Sequence, residues 1–172
     1  MPYPVVTHLL LTAALVGAML IMLAVHSYIL FTQQLQNINL ALSEVAESTA
    51  REIVELVSVF TLGGGSYSYM VMTLPSTLAG QPYELLLGEE GENVIKVVAR
   101  LQIYQQVRVV VTPNFGREPV HVVGAASCAQ PFEIPGLGSP SNSIHLPLPS
   151  GRPVVVAYKQ GGSICVGFAA AP

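Results

Sequence analysis

From Met1 to Ser43 the chain holds no Asp, Glu, Lys or Arg, and no other feature limits its folding choices so severely. Within that stretch Val5 to Phe31 is almost wholly apolar, interrupted only by Thr7, His8, Thr12, His26 and Ser27. About 20 such residues cross the hydrocarbon core of a bilayer as a helix, and this run has 27. Backbone groups in lipid must be satisfied within the segment, so helix is the economical state. Pro2 and Pro4 precede the run or fall in its first turn, where a missing N–H costs least. A cleaved secretory signal fits poorly, because no basic residue precedes the run and its length exceeds the roughly 7–15 residues of a signal's apolar region. The expectation is a membrane-spanning helix. Charge does not orient it, since the first basic residue is Arg51.

Past Phe31 the composition turns polar, yet Leu35, Ile38, Leu42, Val45, Thr49, Ile53, Leu56 and Phe60 recur at steps of three and four. That spacing marks one face of a helix. The opposite face carries Glu44, Glu47, Glu52 and Glu55, and Glu47 to Arg51 is a favourable i,i+4 pair. No Pro or Gly falls between Ala18 and Leu62, and Gly63-Gly64-Gly65 then stops the helix. The spacing therefore predicts a helical part over 1–62, apolar over 5–31 and amphipathic over 32–62. Ala13/Gly17 and Ala14/Ala18 are small-xxx-small pairs of the kind that let helix backbones approach in lipid. His8 and His26 are either interfacial or buried against another helix.

After the glycines the periodicity shifts to two, which predicts a β domain over 63–172. Tyr67, Tyr69 and Val71 alternate with Ser68, Met70 and Met72. Leu101, Ile103, Val107, Val109 and Val111 share one side of a predicted strand over 101–111, with Gln102, Tyr104, Gln106 and Arg108 on the other. Further strands are predicted at Tyr83–Leu87, Asn93–Arg100, Val120–Ala126, Pro153–Lys159 and Ile164–Phe168, separated by turn-forming stretches. Seven short strands at such intervals indicate a two-sheet antiparallel sandwich. Gln130–Arg152, rich in Pro, Gly and Ser, reads as a long irregular loop. Cys128 and Cys165 bracket that loop. Either they form a bridge suited to an exported domain, or they are two buried thiols.

Signatures of catalysis are missing from the sequence. No Gly-x-Ser-x-Gly elbow, Walker lysine or Gly-x-Gly-x-x-Gly turn occurs. The four histidines are dispersed, so a metal site would need His121, His145 and Cys128 to meet in space, and no metal or other cofactor is expected. Glu89, Glu90 and Glu92 fall on a predicted turn, where solvated charge is the expectation. Seven basic residues and a net charge of −3 supply no cationic footprint for nucleic acid. With 51% hydrophobic and 10% charged residues, the chain is too apolar for disorder. An enzyme is not expected.

The apolar run 5–31, the amphipathic stretch Glu44–Phe60 into Gly63-Gly64-Gly65, and the segments Met72-Thr73-Leu74-Pro75-Ser76 and Gly80-Gln81-Pro82-Tyr83-Glu84-Leu85 together resemble archaeal type IV pilin-like proteins. That group includes archaellins and adhesion pilins, and the resemblance covers residues 1–112. It implies an α+β, pilin-like fold: a long N-terminal hydrophobic helix followed by an antiparallel β-sandwich. It also implies numbering that starts at or near a mature end, after removal of a basic leader. The Glu near the mature N-terminus of bacterial pilins has no counterpart here.

Function implied by the resemblance is structural: a subunit of an extracellular type IV pilus-like filament for adhesion. The chain would be stored in the membrane, handled by pilus assembly machinery and polymerised with identical subunits as a helical homopolymer. Helix-core contacts would come from Ala13, Ala14, Gly17, Ala18, Leu20, Leu23, Ile29, Phe31, Leu35, Ile38 and Leu42. The competing reading is a non-polymerising, membrane-anchored β-sandwich accessory to an archaellum or pilus machine or to a surface layer. An apolar stripe over 35–60 would favour the filament, because a lone tether has no use for it.

Overall fold

A computed structural model describes residues 3–102, 106–116, 118–129 and 132–172. Element α1 is a single α-helix, Tyr3–Gly63, without internal interruption, as the lack of Pro and Gly beyond Ala18 requires. It ends where Gly64 takes a positive φ of 68°, a conformation glycine adopts without the steric penalty a Cβ brings. Pro2, expected at the start, lies outside the described residues.

Two compact units divide the chain, 1–38 and 39–172. The boundary expected at 62/63 marks the end of the helix but not that of the compact unit. Leu42, Val45, Ala46, Ile53, Leu56, Val57 and Phe60 are buried in the core of the second unit. Leu42, Val45, Ile53, Leu56 and Phe60 belong to the stripe read from the sequence, and Ala46 and Val57 widen it into one packed face.

Among the described residues eight strands follow α1: β1 Tyr67–Val71, β2 Tyr83–Glu89, β3 Ile95–Leu101, β4 Val107–Val111, β5 Val120–Val122, β6 Ser143–Leu146, β7 Arg152–Gln160 and β8 Ser163–Ala171. They form two four-stranded sheets with orders β1-β7-β8-β5 and β4-β3-β2-β6. The fold class is the α+β plan expected, a long apolar helix followed by mainly antiparallel sheets. One pair departs from it: β5 runs parallel to β8, Val120 opposite Ile164.

Three strand expectations need correction. The strand predicted over 101–111 is shorter: Leu101 ends β3, and β4 begins only at Val107 and returns antiparallel to β3, Val98 opposite Val109. Ile103 and Tyr104 lie outside the described residues. Val120–Ala126 is shorter than predicted: β5 stops at Val122, and a 3-10 turn occupies Ala126–Cys128. Inside the supposed irregular loop, Ser143–Leu146 pairs with β2, Leu85 opposite Ile144. Gln130 and Pro131 at that loop's start lie outside the described residues.

Strands β7 and β8 are the most enclosed, buried on both faces through most of their length. On one face Val154, Val156, Tyr158, Cys165 and Ala169 pack under Cys128 and Ile134, with Phe132, Leu137 and Val123 at the margin. Phe132 stacks flat on Tyr158 with ring centroids 4.5 Å apart. Cys128 and Cys165 are joined in a disulfide with Cα atoms 5.8 Å apart, so the covering segment is bonded to the strand it covers.

Candidate functional site

The most unusual surface in the molecule belongs to the first unit. Val6, Leu9, Leu10, Leu11, Leu15, Met19, Leu20, Met22, Leu23, Ile29 and Phe31 are all exposed. The most hydrophobic 18-residue window of this helix has a mean hydropathy of 2.4 and no residue buried. Successive residues point around the helix at about 100° intervals, so the surface is apolar on every side. Two of its hydroxyls are satisfied locally. Thr12 Oγ1 donates to the His8 carbonyl at 2.8 Å, and Thr32 Oγ1 to that of Ile29 at 2.8 Å. Such a helix requires a non-aqueous neighbour.

Of the residues expected to build a helix core, Ala13, Ala14, Ala18, Leu20, Leu23, Ile29 and Phe31 are exposed, and Gly17 and Leu35 are half-buried. A Cβ placed on Gly17 meets no atom within 4 Å, so this glycine is not demanded by packing inside the chain. His26 shares a shallow groove with Met19, Met22, Leu23, Val25 and Ile29. Ile38 and Leu42 require correction. Both are buried in the single chain, Leu42 completely, and Leu42 begins the helix face that the second unit itself covers. The stripe over 35–60 thus serves intramolecular packing from Leu42 onward and does not separate filament from tether.

Candidate chemistry in the second unit resolves into separate structural ties. His121, His145 and Cys128 do not converge, and no group of three His, Cys, Asp or Glu suited to a metal occurs among the described residues. His121 Nδ1 lies 3.0 Å from Glu89 Oε1, which also accepts the Val122 N–H at 3.1 Å. Glu89 therefore joins β2 of one sheet to β5 of the other while staying exposed, as Glu90 and Glu92 also are. His145 Nε2 sits 3.3 Å from Glu84 Oε1, and the other oxygen of Glu84 pairs with Arg100.

Sequence reasoning missed the Glu84 cluster. Glu84 is only 4% exposed, although it alternates with Tyr83 and Leu85 on what reads as an outward face. Cross-strand register supplies both partners, since Glu84 lies opposite Arg100 on β3 and His145 on β6. Burying a carboxylate is costly unless it is paired and hydrogen-bonded. The only hint along the chain is a charge set between two large apolar residues.

Two of the segments that carried the resemblance meet. Tyr83 Oη donates to the Pro75 carbonyl at 2.6 Å, and burial pushes its phenol well above the usual range. Thr73 contributes a backbone hydrogen bond to Glu52 of α1. Burial, the larger influence, still raises the Glu52 carboxyl above its ordinary value, and Glu55 adds to the rise.

No family model, curated protein or solved structure matches this chain.

Proposed function

We propose that the chain is a structural subunit of an extracellular type IV pilus-like filament. Its apolar helix rests in the membrane before assembly and packs against the helices of identical subunits afterwards. Supporting this reading above all is the helix over 5–31, apolar on every side and uncovered, on a chain whose second unit has a complete core of its own. Each large apolar side chain moved out of water contributes about 1.5–3 kcal/mol. The transfer from lipid to a bundle of copies keeps that gain. The disulfide fits an oxidising, extracellular location. Adhesion is the role that the resemblance to adhesion pilins implies.

A membrane-anchored accessory protein is the second reading. What favours it is the burial of Leu42, Val45, Ile53, Leu56 and Phe60 within the chain's own second unit, which leaves only the spanning stretch for intermolecular use. Gly17→Leu separates the two. A leucine there has open space within the chain but thickens the small-residue face that close helix packing needs. The expected outcome is normal membrane insertion with loss of filaments from sheared surface material in negative-stain micrographs. Unaltered filaments in the variant, or none from the unsubstituted chain, would refute helix-core assembly.

A further inference from the structure

Each sheet ends in a five-residue strand of unusual composition. β1 is Tyr-Ser-Tyr-Met-Val and closes one edge of the first sheet; β4 is Val-Arg-Val-Val-Val and closes one edge of the second. Neither carries Lys or Pro, and Arg108 of β4 is the one charged residue on either edge. Tyr67, Tyr69 and Val71 are 38–51% exposed, and Val107, Val109 and Val111 are 45–47% exposed.

Hydrogen bonding shows which backbone groups these edges leave free. Lys159 N–H donates to Ser66 O, and Met72 N–H to Pro153 O. Antiparallel ladders alternate between bonded and non-bonded pairs. Residues 66, 68, 70 and 72 therefore face β7, while Tyr67, Tyr69 and Val71 turn their N–H and C=O groups outward. On β4, Leu101 N–H donates to Gln106 O and Thr112 N–H to Ile95 O. By the same alternation Val107, Val109 and Val111 present the free groups. Each edge thus offers three residues at steps of two, and the same three residues carry the exposed apolar side chains.

We propose that these edges bind each other between copies of the chain, β1 of one copy adding antiparallel to β4 of the next. Tyr67 then lies opposite Val111, Tyr69 opposite Val109 and Val71 opposite Val107, satisfying the free backbone groups of both edges and pairing aromatic with β-branched side chains. The second copy is the occupant because the two edges match in length, free-group spacing and side-chain face. β5 lies against β2 and β3, and β8 against β6, which puts β1 and β4 at opposite ends of the two sheets. The contact is therefore head-to-tail, and every copy joined through one edge still offers the other edge to a further copy. Pairing β4 with another β4 about Val109 would set the two Arg108 side chains diagonally across one face and leave every β1 uncovered. This interface uses no residue of α1, so it goes beyond helix-core assembly and can fail independently of it.

The full chain in dodecyl maltoside micelles, which cover the apolar helix, tests the proposal by sedimentation velocity. The unsubstituted chain is expected to form progressively longer oligomers as protein concentration rises. Tyr69→Lys and Val109→Lys each block one edge, and each variant alone should sediment as a single chain. Their equimolar mixture should give dimers and nothing larger. Dimerisation of Tyr69→Lys alone would reveal β4–β4 pairing, dimerisation of Val109→Lys alone β1–β1 pairing, and either overturns the proposal. A measurement free of substitutions follows amide exchange in the unsubstituted chain. Residues 67, 69, 71, 107, 109 and 111 should gain protection together with concentration, and unchanged exchange at these positions also overturns it. Loss of filaments in Gly17→Leu with no edge protection in micelles would leave helix assembly standing and edge pairing refuted. Edge protection in micelles with filaments intact in Gly17→Leu would leave edge pairing standing and helix assembly refuted.

Discussion

Glu52 illustrates how one carboxyl can be placed correctly on a helix and still be misjudged. Its spacing with Glu44, Glu47 and Glu55 assigns it to the polar face. In the fold it is half-buried, with Oε2 enclosed and unpartnered. Enclosure favours the neutral acid, so its folded pKa stands above the unfolded 4.5. The linkage has a definite sign. Below 4.5 the group is protonated in both states and its contribution to stability is complete; as pH rises through the raised folded value, that contribution is lost. Glu52→Gln removes the titration. The variant should melt higher than the parent above this interval, the gap closing as pH is lowered toward 4.5. Solvent screening at a half-buried site limits the difference to less than about 1 kcal/mol. Thermal melts of both chains in matched buffers from about pH 4 upward check this, and a gap that does not vary with pH would refute it. Glu84 is the contrasting case: equally unremarkable in sequence, it is buried with Arg100 and His145 as partners. Those partners stand 16 and 61 positions away, and only strand register makes them neighbours.

Elements were legible where one periodicity ran long enough to be unambiguous. An unbroken apolar run over 5–31 and a 3.6-residue pattern over 35–60 together cover α1, and the glycines that stop it are contiguous. β2, β7 and β8 carry dense apolar runs between clear turns. Legibility failed at short elements whose identity depends on a partner. β6 is only Ser-Ile-His-Leu among prolines and serines; its alternation was present, with Ile144 and Leu146 buried, but four residues do not outweigh such surroundings. The end of β3 was placed within one residue, but the start of β4 was set too early because the alternation of 107–111 can be extended back to Leu101. The segment around β6 is more closely bound than a loop. Leu87 N–H donates to Asn142 O at 2.7 Å, and Ser141 and Phe168 exchange backbone hydrogen bonds at 2.7 Å. The disulfide closes 37 residues across the same region, which in the chain-entropy account is worth about 3–4 kcal/mol. Reduction should lower denaturant stability by about that amount while leaving the β spectrum intact. Identical urea transitions before and after verified reduction would contradict this role for the bond.

At the scale of the whole molecule, the shift from helical to two-residue periodicity at Gly63 is a boundary of secondary structure, whereas the packing boundary falls at Asn39. Periodicity reports which face of a helix is apolar. It does not report whether that face meets another chain or its own, and for this reason the stripe over 35–60 read as equipment for a bundle. Two truncations distinguish the boundaries. A chain beginning at Asn39 keeps Leu42, Val45, Ala46, Ile53, Leu56, Val57 and Phe60, all buried in the second unit, and discards the uncovered apolar helix. It should be soluble without detergent and unfold in one cooperative transition. A chain beginning at Gly63 retains every strand but loses that entire buried face. Truncation of a single large core side chain typically costs about 2–5 kcal/mol, and a domain's total stability is only about 5–15 kcal/mol. Loss of seven core side chains exceeds what the sheets can absorb, so this shorter chain should be aggregated or unfolded by circular dichroism. If it instead melts at the same temperature as the chain from Asn39, the helix contributes nothing to the core. The face from Leu42 to Phe60 would then be available to other subunits after all.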